Sequence, residues 1–395
     1  MTKSRIQILF LLTLPLLYIF ISVYTYVGTF WFDWAKNTPF NFYDKISEST
    51  IQEACMVFGI GAISYIFGWF IASKFVVSKA YNQYQEFQSK ITVLTKRHRL
   101  LILGLNIFVI LLFIFGYGFS SLIERPGYAQ FDIERNKFLL KIHLILLPIS
   151  IFTLAFLKLK YLKFIVFSFH FVLLFSASTR LLGLIFFIYG LGVFAKSSNV
   201  IKSGVLLYFL AGLYFFIWIL SMRGYSPQGF LYNFEYLLFA NTAFEAMSVG
   251  INYITSFSVY GLAYSIENKA PDLYSFLVSI SPLPLSFHDG ERMLESQRLL
   301  GTSPMSVVAI IYSFGLAFFF CFYAFIGVTA YFISLKLKNN KFLSLAVVGV
   351  FMIAVFLSVQ YNLRGFSRLL YLAVFLSLFS YLFYKAKLNM GHKLS

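Results

Sequence analysis

Apolar runs separated by short polar segments recur along the whole chain. Most runs are about 20 residues long, the length that a helix needs to cross the hydrocarbon core of a bilayer. The pattern predicts ten membrane-spanning helices, at residues 6–32, 53–77, 100–120, 139–157, 162–178, 181–195, 204–222, 305–334, 343–362 and 369–385. Two of the runs, 162–178 and 181–195, are short for a complete span and are joined at the stretch Ser178, Thr179 and Arg180.

The composition supports an integral membrane protein. Of the 395 residues, 59% are hydrophobic and 12% are charged, whereas soluble domains carry roughly 25% charged residues. We therefore expect an all-α, polytopic integral membrane protein. Cys55 and Cys321 lie in separate apolar runs, which favours packing roles over a disulfide. The five histidines are scattered and form no H-x-x-x-H pattern, so no metal site is predicted.

One long segment, residues 223–304, separates the seventh and eighth predicted spans. Residues 233–257 have the pattern of an amphipathic helix lying at the membrane interface. Residues 291–300 predict a short charged helix, in which Glu295 is placed to pair with Arg292 or Arg298. The chain is thus predicted to divide into spans one to seven, a large helical loop, and spans eight to ten with a tail, at residues 1–222, 223–304 and 305–395.

The charges of the loops predict how the spans are oriented. One set of loops and termini holds 19 of the 32 basic residues and a single acid, Glu86, and is cytoplasmic by the positive-inside rule. The other side holds 14 of the 15 acids, so both termini are predicted to be cytoplasmic and the chemistry to face outward. The net charge of +17 then reflects topology and not nucleic-acid binding.

Arginine is distributed unevenly across the predicted membrane. Every arginine after residue 100 is predicted at the outer side, whereas the inner side after that point uses lysine. The planar guanidinium binds phosphate through two parallel hydrogen bonds, and an anion at the outer edge of spans suggests a lipid diphosphate. The candidate diphosphate-binding residues are Arg180, Arg223, Arg364, Arg368, Arg292 and Arg298. The alternative is that these arginines pair with the acids of the outer side.

Arg180 is the most specific of these candidates. It is predicted at the tip of a tight hairpin that is too short to reach the headgroups easily, so its charge would lie in a recess wetted from outside. A guanidinium at membrane depth is costly unless it is solvated or bound. The alternative is an arginine that extends its side chain to the interface.

Three stretches carry a resemblance: STRLLGLIFFIYGL, GTSPMSVVAIIYSFGLAFF and LRGFSRLLYL. They are similar to the bacterial O-antigen and capsule repeat-unit polymerases. The similar features are a Ser/Arg pair opening a middle helix, a Gly-x-x-Pro stretch that leads into a helix with the element Tyr312 to Gly315, and the pair Arg364 and Gly365. The predicted topology, with one dominant outer loop in the second half, resembles that of the family over nearly the whole chain.

The resemblance implies a metal-independent membrane glycosyltransferase of GT-C type in lipopolysaccharide biosynthesis, located in the bacterial inner membrane with its active site facing the periplasm. The donor is the growing chain on undecaprenyl diphosphate, and the acceptor is one lipid-linked repeat unit. No cofactor is implied, and a separate polysaccharide chain-length regulator is a further implied partner.

This chemistry requires a base for the acceptor hydroxyl and surfaces that bind sugar. His288 is the histidine of the large loop, and Glu235, Glu245, Asp289 and Glu291 are alternatives as catalytic residues. Candidates for stacking on sugar rings are Tyr225, Tyr236 and Tyr253, although tyrosine is also a common interfacial anchor.

Two other functions remain open from the sequence. An O-antigen ligase would use the same donor with lipid A core as acceptor, and it would also use a large loop with arginines and a histidine. A flippase or transporter of lipid-linked oligosaccharide is a rival of another class. Transporters often contain internal repeats, which this sequence lacks.

Overall fold

The computed structural model describes residues 3–36, 38, 42–75, 96–127, 135–196, 203–222, 225–239, 243–299, 304–337, 341–360 and 362–391. These residues form helices joined by turns. In chain order the helices are α1 (Lys3–Phe30), α2 (Glu48–Phe75), α3 (Lys96–Tyr117), α4 (Phe119–Ile123), α5 (Lys137–Leu154), α6 (Lys160–Ser176), α7 (Leu181–Lys196), α8 (Ser203–Met222), α9 (Phe230–Phe239), α10 (Ala243–Ile254), α11 (Ser256–Asn268), α12 (Leu273–Ile280), α13 (Gly290–Ser296), α14 (Val307–Tyr312), α15 (Leu316–Lys336), α16 (Lys341–Gln360) and α17 (Leu363–Gly391).

The all-helical class is confirmed for the described residues, which contain no strand. Five helical stretches are long and apolar enough to cross a membrane, at Gln7–Phe30, Glu48–Phe75, Arg99–Tyr117, Lys137–Leu154 and Leu316–Leu335. Such stretches are compatible with a membrane-embedded helical protein. The number of ten spans and the orientation of the termini stay predictions.

Two predicted helices are interrupted in the structure. The run 305–334 is divided at Ser313–Gly315, where Gly315 has a φ of +96°, a backbone conformation that favours glycine. The segment 233–257, predicted as one amphipathic helix, contains parts of α9, α10 and α11. Apolar periodicity alone does not indicate such breaks, because the same residue types continue on both sides of them.

Packing divides the chain into two compact units. Unit 1 is Met1–Phe87 together with Asn252–Ser395, and unit 2 is Gln88–Ile251. The boundary at residue 251 lies within the predicted loop 223–304, so this loop contributes helices to both units. The division at 222 and 304 concerns membrane topology and stays a prediction.

Helices α2 and α15 form the centre of unit 1. They run parallel, because Gly61 lies beside Phe319 while Trp69, further along α2, lies beside Tyr331. Glycines allow the two backbones to approach closely: a Cβ at Gly68 would lie 1.9 Å from the carbonyl oxygen of Ala324. Small residues at such a seam are typical of helix pairs in membranes.

Helices α1 and α16 run together alongside this pair in the opposite direction. The Tyr65 hydroxyl of α2 donates to the Phe10 carbonyl, and the Ser22 hydroxyl donates to the Cys55 carbonyl at 2.8 Å, so α1 is antiparallel to α2. Tyr18 of α1 bonds to Ser358 of α16 at 2.9 Å. We call the end of unit 1 where α2, α15 and α17 begin, and where α1 and α16 end, the upper end.

Helix α11 belongs to the core at this upper end. Tyr260 is 0% exposed and its hydroxyl bonds to Thr29 at 2.8 Å, and Val259 and Leu262 are equally buried. Helix α11, which belongs to the predicted loop 223–304, therefore packs in the core of unit 1. Neighbouring helices supply partners for its hydroxyl groups.

Candidate functional site

The hairpin at Arg180 is the first candidate site and lies in unit 2. Helix α6 ends at Ser176 and α7 begins at Leu181, so four residues make the turn. Ser178 has a φ of +49°, which is uncommon for a residue other than glycine. The Leu182 amide donates to the Thr179 carbonyl at 3.0 Å and starts α7. The predicted tight hairpin is confirmed, and Arg180 is half-buried in it.

Arg125 lies beneath this turn and holds it in place. Its side chain is 0% exposed. Nη1 donates to the carbonyl of Ser176 at 2.6 Å and to that of Ser121 at 3.2 Å. Nη2 donates to Ser178 Oγ at 3.1 Å and to Gln228 Oε1 at 2.7 Å. A buried guanidinium with several acceptors is a strong positioning element, because charge-assisted hydrogen bonds are about twice as strong as neutral ones.

Two further side chains complete the support of the turn. Asn233 Nδ2 donates to the Phe175 carbonyl at 2.7 Å and to Ser178 Oγ at 3.0 Å. The backbones of Arg125 and Gln228 exchange a pair of hydrogen bonds at 2.7 and 2.9 Å. We call Arg125, Ser178, Gln228 and Asn233 the turn-support cluster. Its members come from three separate parts of the chain. Arg125 and Asn233 bond directly to Ser178, and Gln228 bonds to Arg125.

Sequence reasoning placed Arg125 among the outer arginines but did not select it. In sequence, Arg125 is followed by Pro126 and Gly127, which indicate a turn. That the side chain points inward, towards the carbonyls at the end of α6, is a tertiary fact that no local pattern encodes.

The other predicted residues of unit 2 are less closely associated. Arg223 lies outside the described residues, and so does the side chain of Glu245, which belongs to α10. Glu235 is exposed on α9. The rings of Tyr225 and Tyr236 are 4.8 Å apart, and the Tyr236 hydroxyl donates to the Pro227 carbonyl at 3.1 Å. The structure thus brings two of the three tyrosines together.

Tyr253 belongs to unit 1, where its ring stacks on Phe257 at 5.0 Å with an interplanar angle of 5°. The backbone carbonyl of Tyr253 also accepts a hydrogen bond from Gln360 of α16. The ring is half-buried, and one of its faces is covered by a phenylalanine. A sugar ring would therefore have at most the opposite face available.

The predicted pair Arg364 and Arg368 lies at the start of α17, and its two members differ. Arg364 is buried, and its guanidinium donates to the carbonyls of Val278 and Leu283. Arg368 is exposed. Backbone carbonyls therefore already use the guanidinium that the sequence assigned to phosphate, and Arg364 holds the segment after α12 against α17. Arg368 is the member of the pair that a ligand can approach from solvent.

The segment held by Arg364 leads to His288. The Tyr371 hydroxyl of α17 donates to the Ile280 carbonyl, and Ser281 Oγ lies 3.1 Å from His288 Nε2. His288 is half-buried. Asp289 accepts a hydrogen bond from the Arg292 amide at 3.0 Å and thereby caps α13. Three predicted site residues, His288, Asp289 and Arg292, therefore lie in one short stretch of the upper end.

The remaining loop residues are exposed. Glu291 lies in the first turn of α13, where a negative charge is favourable at a helix N-terminus. Arg298 is exposed and its backbone forms an isolated bridge with Pro304. Of the two partners predicted for Glu295, Arg292 pairs elsewhere: its Nη2 lies 3.5 Å from Asp272, and its guanidinium lies 4.6 Å from the Tyr274 ring.

The position of Asp272 explains why Arg292 pairs with it and not with Glu295. It caps α12 by accepting the amides of Tyr274 and Ser275 and the Ser275 hydroxyl, so its carboxylate is already fixed in place when Arg292 approaches. The Ser275 hydroxyl, the backbone amides and the Arg292 charge lower the pKa of Asp272. A surface pair with a mobile Glu295 would have to immobilise two long side chains for little gain.

The lowered pKa predicts how the contact between α12 and α13 responds to pH. Because the carboxylate is favoured in the folded state, its contribution is complete above the unfolded pKa of about 3.9 and is lost as pH falls through the lower folded pKa. The amides of α12 and α13 should therefore be equally protected from hydrogen exchange at pH 7 and pH 5, once intrinsic exchange rates are corrected for. Below about pH 4 their exchange rates should rise. In Asp272→Asn the added rise below pH 4 should disappear, whereas Asp289→Asn serves as a capping control on the neighbouring helix.

The described residues contain no group of three or more His, Cys, Asp or Glu side chains placed to hold a metal ion. The Arg180 turn and the upper end of unit 1 both offer cationic and hydrogen-bonding side chains. Unit 2 supplies Arg180 on its supported turn. The upper end of unit 1 supplies Arg368, Arg292 and His288.

Comparisons of the chain with protein-family models, with curated proteins and with solved structures give no match.

Proposed function

We propose that the chain is a membrane-embedded, metal-independent glycosyltransferase that polymerises oligosaccharide repeat units carried on undecaprenyl diphosphate. The growing chain is transferred from its lipid diphosphate to a hydroxyl of the next lipid-linked unit on the periplasmic face. The resemblance of three sequence stretches to the repeat-unit polymerases motivates this proposal. The geometry of the Arg180 turn is the structural observation that supports this proposal most strongly.

The Arg180 turn has the properties that a lipid-diphosphate site needs. It joins the end of α6 to the start of α7, and both helices are apolar. It places a cation beside the N-terminus of α7, and the turn-support cluster fixes its backbone. Helix N-termini and arginine forks both favour phosphate oxygens. An arginine that merely extends to the interface would need no buried guanidinium to fix the backbone below it. The lipid tail of such a substrate would remain beside apolar helices.

The reaction assigns a chemical role to these cations. As the acceptor oxygen bonds to the anomeric carbon, the bond to the diphosphate breaks and negative charge develops on the leaving oxygen. A positioned arginine stabilises that charge without a metal ion. Among the candidate arginines, Arg180 is half-buried and Arg368 is exposed.

The test is to replace Arg180 in the native strain after deletion of its chromosomal gene. Complementation with the wild-type gene should restore a ladder of polymer lengths on a gel, whereas Arg180→Ala should leave only lipid A core capped with a single unit. Removing one donor to a developing oxyanion costs about 10²- to 10³-fold in rate. Arg180→Lys should restore a weak ladder, because lysine retains the charge but loses the two-pronged geometry.

Arg135→Ala, which removes an exposed arginine of the same unit, is the control and should give a normal ladder at equal membrane abundance. A normal ladder with Arg180→Ala would return Arg180 to an interfacial role. If deletion of the gene leaves lipid A core without any attached unit, and wild type restores capping, the protein is a ligase. Accumulation of lipid-linked units on the cytoplasmic leaflet after deletion would identify a flippase.

A further inference from the structure

A carboxylate and a tyrosine form an isolated pair at the upper end of unit 1. The Tyr312 hydroxyl donates to Glu53 Oε1 at 2.7 Å, and both residues are half-buried. Glu53 lies in the second turn of α2, and Tyr312 is the last residue of α14. Glu53 is not among the site residues predicted from sequence, because it is a single acid at the edge of an apolar run.

Glu53 lies at the border between the buried and the exposed sides of α2. Ala54, Cys55 and Val57 are 0%, 3% and 1% exposed, whereas Met56 is 63% exposed. Ionisable residues placed in apolar helices are costly, and they mark functional positions by default. A salt bridge would offset the cost, but the described contact of Glu53 is the neutral phenol of Tyr312. One hydrogen bond leaves most of the acceptor positions of a carboxylate for another donor.

The break between α14 and α15 places Tyr312 beside Glu53. Ser306 caps α14 by accepting the Ala309 amide, and α14 ends after six residues. Gly315, with its left-handed backbone, redirects the chain into α15. Tyr312 is thereby the last residue of α14. Its carbonyl accepts the Gly315 amide at 2.8 Å, and its ring meets Phe319 edge-on with centroids 5.7 Å apart.

The loop residues considered from sequence are placed less favourably for proton transfer. Asp289 caps α13, and Glu235 and Glu291 are exposed to solvent, where a sugar hydroxyl competes with water. His288 faces the Ser281 hydroxyl. Glu53 combines partial burial with an orientation that the Tyr312 hydroxyl fixes, and both favour a carboxylate as a positioned base.

We propose that Glu53 is the general base of the transfer reaction and that Tyr312 is the positioning residue that orients its carboxylate. This inference rests on the proposed polymerase function. The acceptor is then a sugar hydroxyl of the lipid-linked repeat unit, bound at the upper end of unit 1 with its O–H directed at the carboxylate.

The step balances without any co-reactant. The acceptor O–H proton moves to a Glu53 oxygen while the acceptor oxygen forms its bond to the anomeric carbon of the donor. The bond between that carbon and the diphosphate oxygen breaks, and its electron pair leaves with the lipid diphosphate. Glu53 returns its proton to solvent before the next cycle.

The experiment uses the purified full-length chain and the lipid-linked repeat unit extracted from the deletion strain as both donor and acceptor. Polymer formation and binding of the extracted lipid are measured separately for wild type, Glu53→Gln, Glu53→Asp and Tyr312→Phe. Glu48, on the same helix, supplies the matched control, because it is exposed and its Oε1 also accepts a tyrosine hydroxyl, that of Tyr43, at 3.1 Å. Glu48→Gln should leave both measurements unchanged.

The two possible roles of Glu53 predict opposite orders of damage. If Glu53 is the base, Glu53→Gln should slow polymer formation by about 10²- to 10⁴-fold while lipid binding stays near wild type. Tyr312→Phe should then be milder, at about 10-fold, and Glu53→Asp should retain measurable activity. If the pair is only structural, Glu53→Gln should be nearly neutral, because its amide oxygen still accepts from Tyr312, and Tyr312→Phe should be the more damaging change.

Other outcomes separate the two proposals from each other. Active wild type with active Glu53→Gln overturns the role of Glu53 and leaves the polymerase function standing. Loss of lipid binding in Glu53→Gln also overturns the base assignment, because a base acts after binding. Wild-type protein that binds the lipid but forms no polymer overturns the polymerase proposal and, with it, this inference.

Discussion

Replacement of Arg125 by methionine is expected to lower the free energy of unfolding by about 5 kcal/mol, because it leaves several buried acceptors without their donor. Methionine fills a similar volume but donates no hydrogen bond. The carbonyls of Ser121 and Ser176 and the amide oxygen of Gln228 would each lose a partner within 3.2 Å. A buried acceptor left unsatisfied costs about 1–3 kcal/mol.

The thermal midpoint of the protein in detergent, followed by size-exclusion chromatography after heating, measures this loss. Arg135→Met is the matched control, because the guanidinium groups of Arg125 and Arg135 both lie 5.8 Å from the centre of the Tyr117 ring. Arg135 is exposed, so we expect a change of at most about 1 kcal/mol from the lost cation–π contact. Equal midpoints for the two variants would show that the turn-support cluster contributes little to stability.

Gly68→Ala is expected to destabilise unit 1 by at least about 3 kcal/mol, the upper part of the range for overpacking. The new Cβ would lie 1.9 Å from the Ala324 carbonyl oxygen, so α2 and α15 would have to separate. The obstacle is backbone and no side-chain rotation relieves it. Gly327→Ala should behave alike, because its Cβ would lie 2.1 Å from the Tyr65 carbonyl oxygen.

Gly59→Ala lies on the same helix and provides a control of opposite sign. No atom lies within 4 Å of a Cβ at that position. Alanine is favoured over glycine in a helix by about 1 kcal/mol, so this variant should be neutral or slightly stabilised. Both variants are compared by the thermal midpoint in detergent. A Gly68→Ala midpoint equal to that of Gly59→Ala would show that the two helices are separable at no cost.

The helical class and the approximate positions of the long helices were accessible from sequence. Long apolar runs require internal hydrogen bonding of the backbone, and a helix provides it within one segment. The hairpin at Arg180 was also accessible, because two short runs in succession leave room for only a few turn residues. The difference in exposure between Arg364 and Arg368 was not accessible from sequence. Arg364 is buried because its guanidinium donates to backbone carbonyls of a segment that is distant in sequence.

The pairing of Arg292 shows the same limit on a smaller scale. Helical spacing offered Glu295, a local partner, whereas the structure supplies Asp272 from the start of another helix. The carboxylate of Asp272 is already immobilised by its capping bonds, so pairing with it loses less side-chain entropy. Local spacing shows which neighbouring contacts are possible. Tertiary packing also brings in distant partners and determines which contact has the lowest free energy.

The sequence by itself determined that this is an apolar, helical protein with a cation at a tight turn. Only the tertiary structure decided that Arg125 supports that turn, that α11 is buried, and that Glu53 meets Tyr312. The reason is physical. Helix formation depends on neighbours within a few residues, whereas a buried polar group is satisfied by whichever donors and acceptors the folded chain brings to it, however distant they are in sequence.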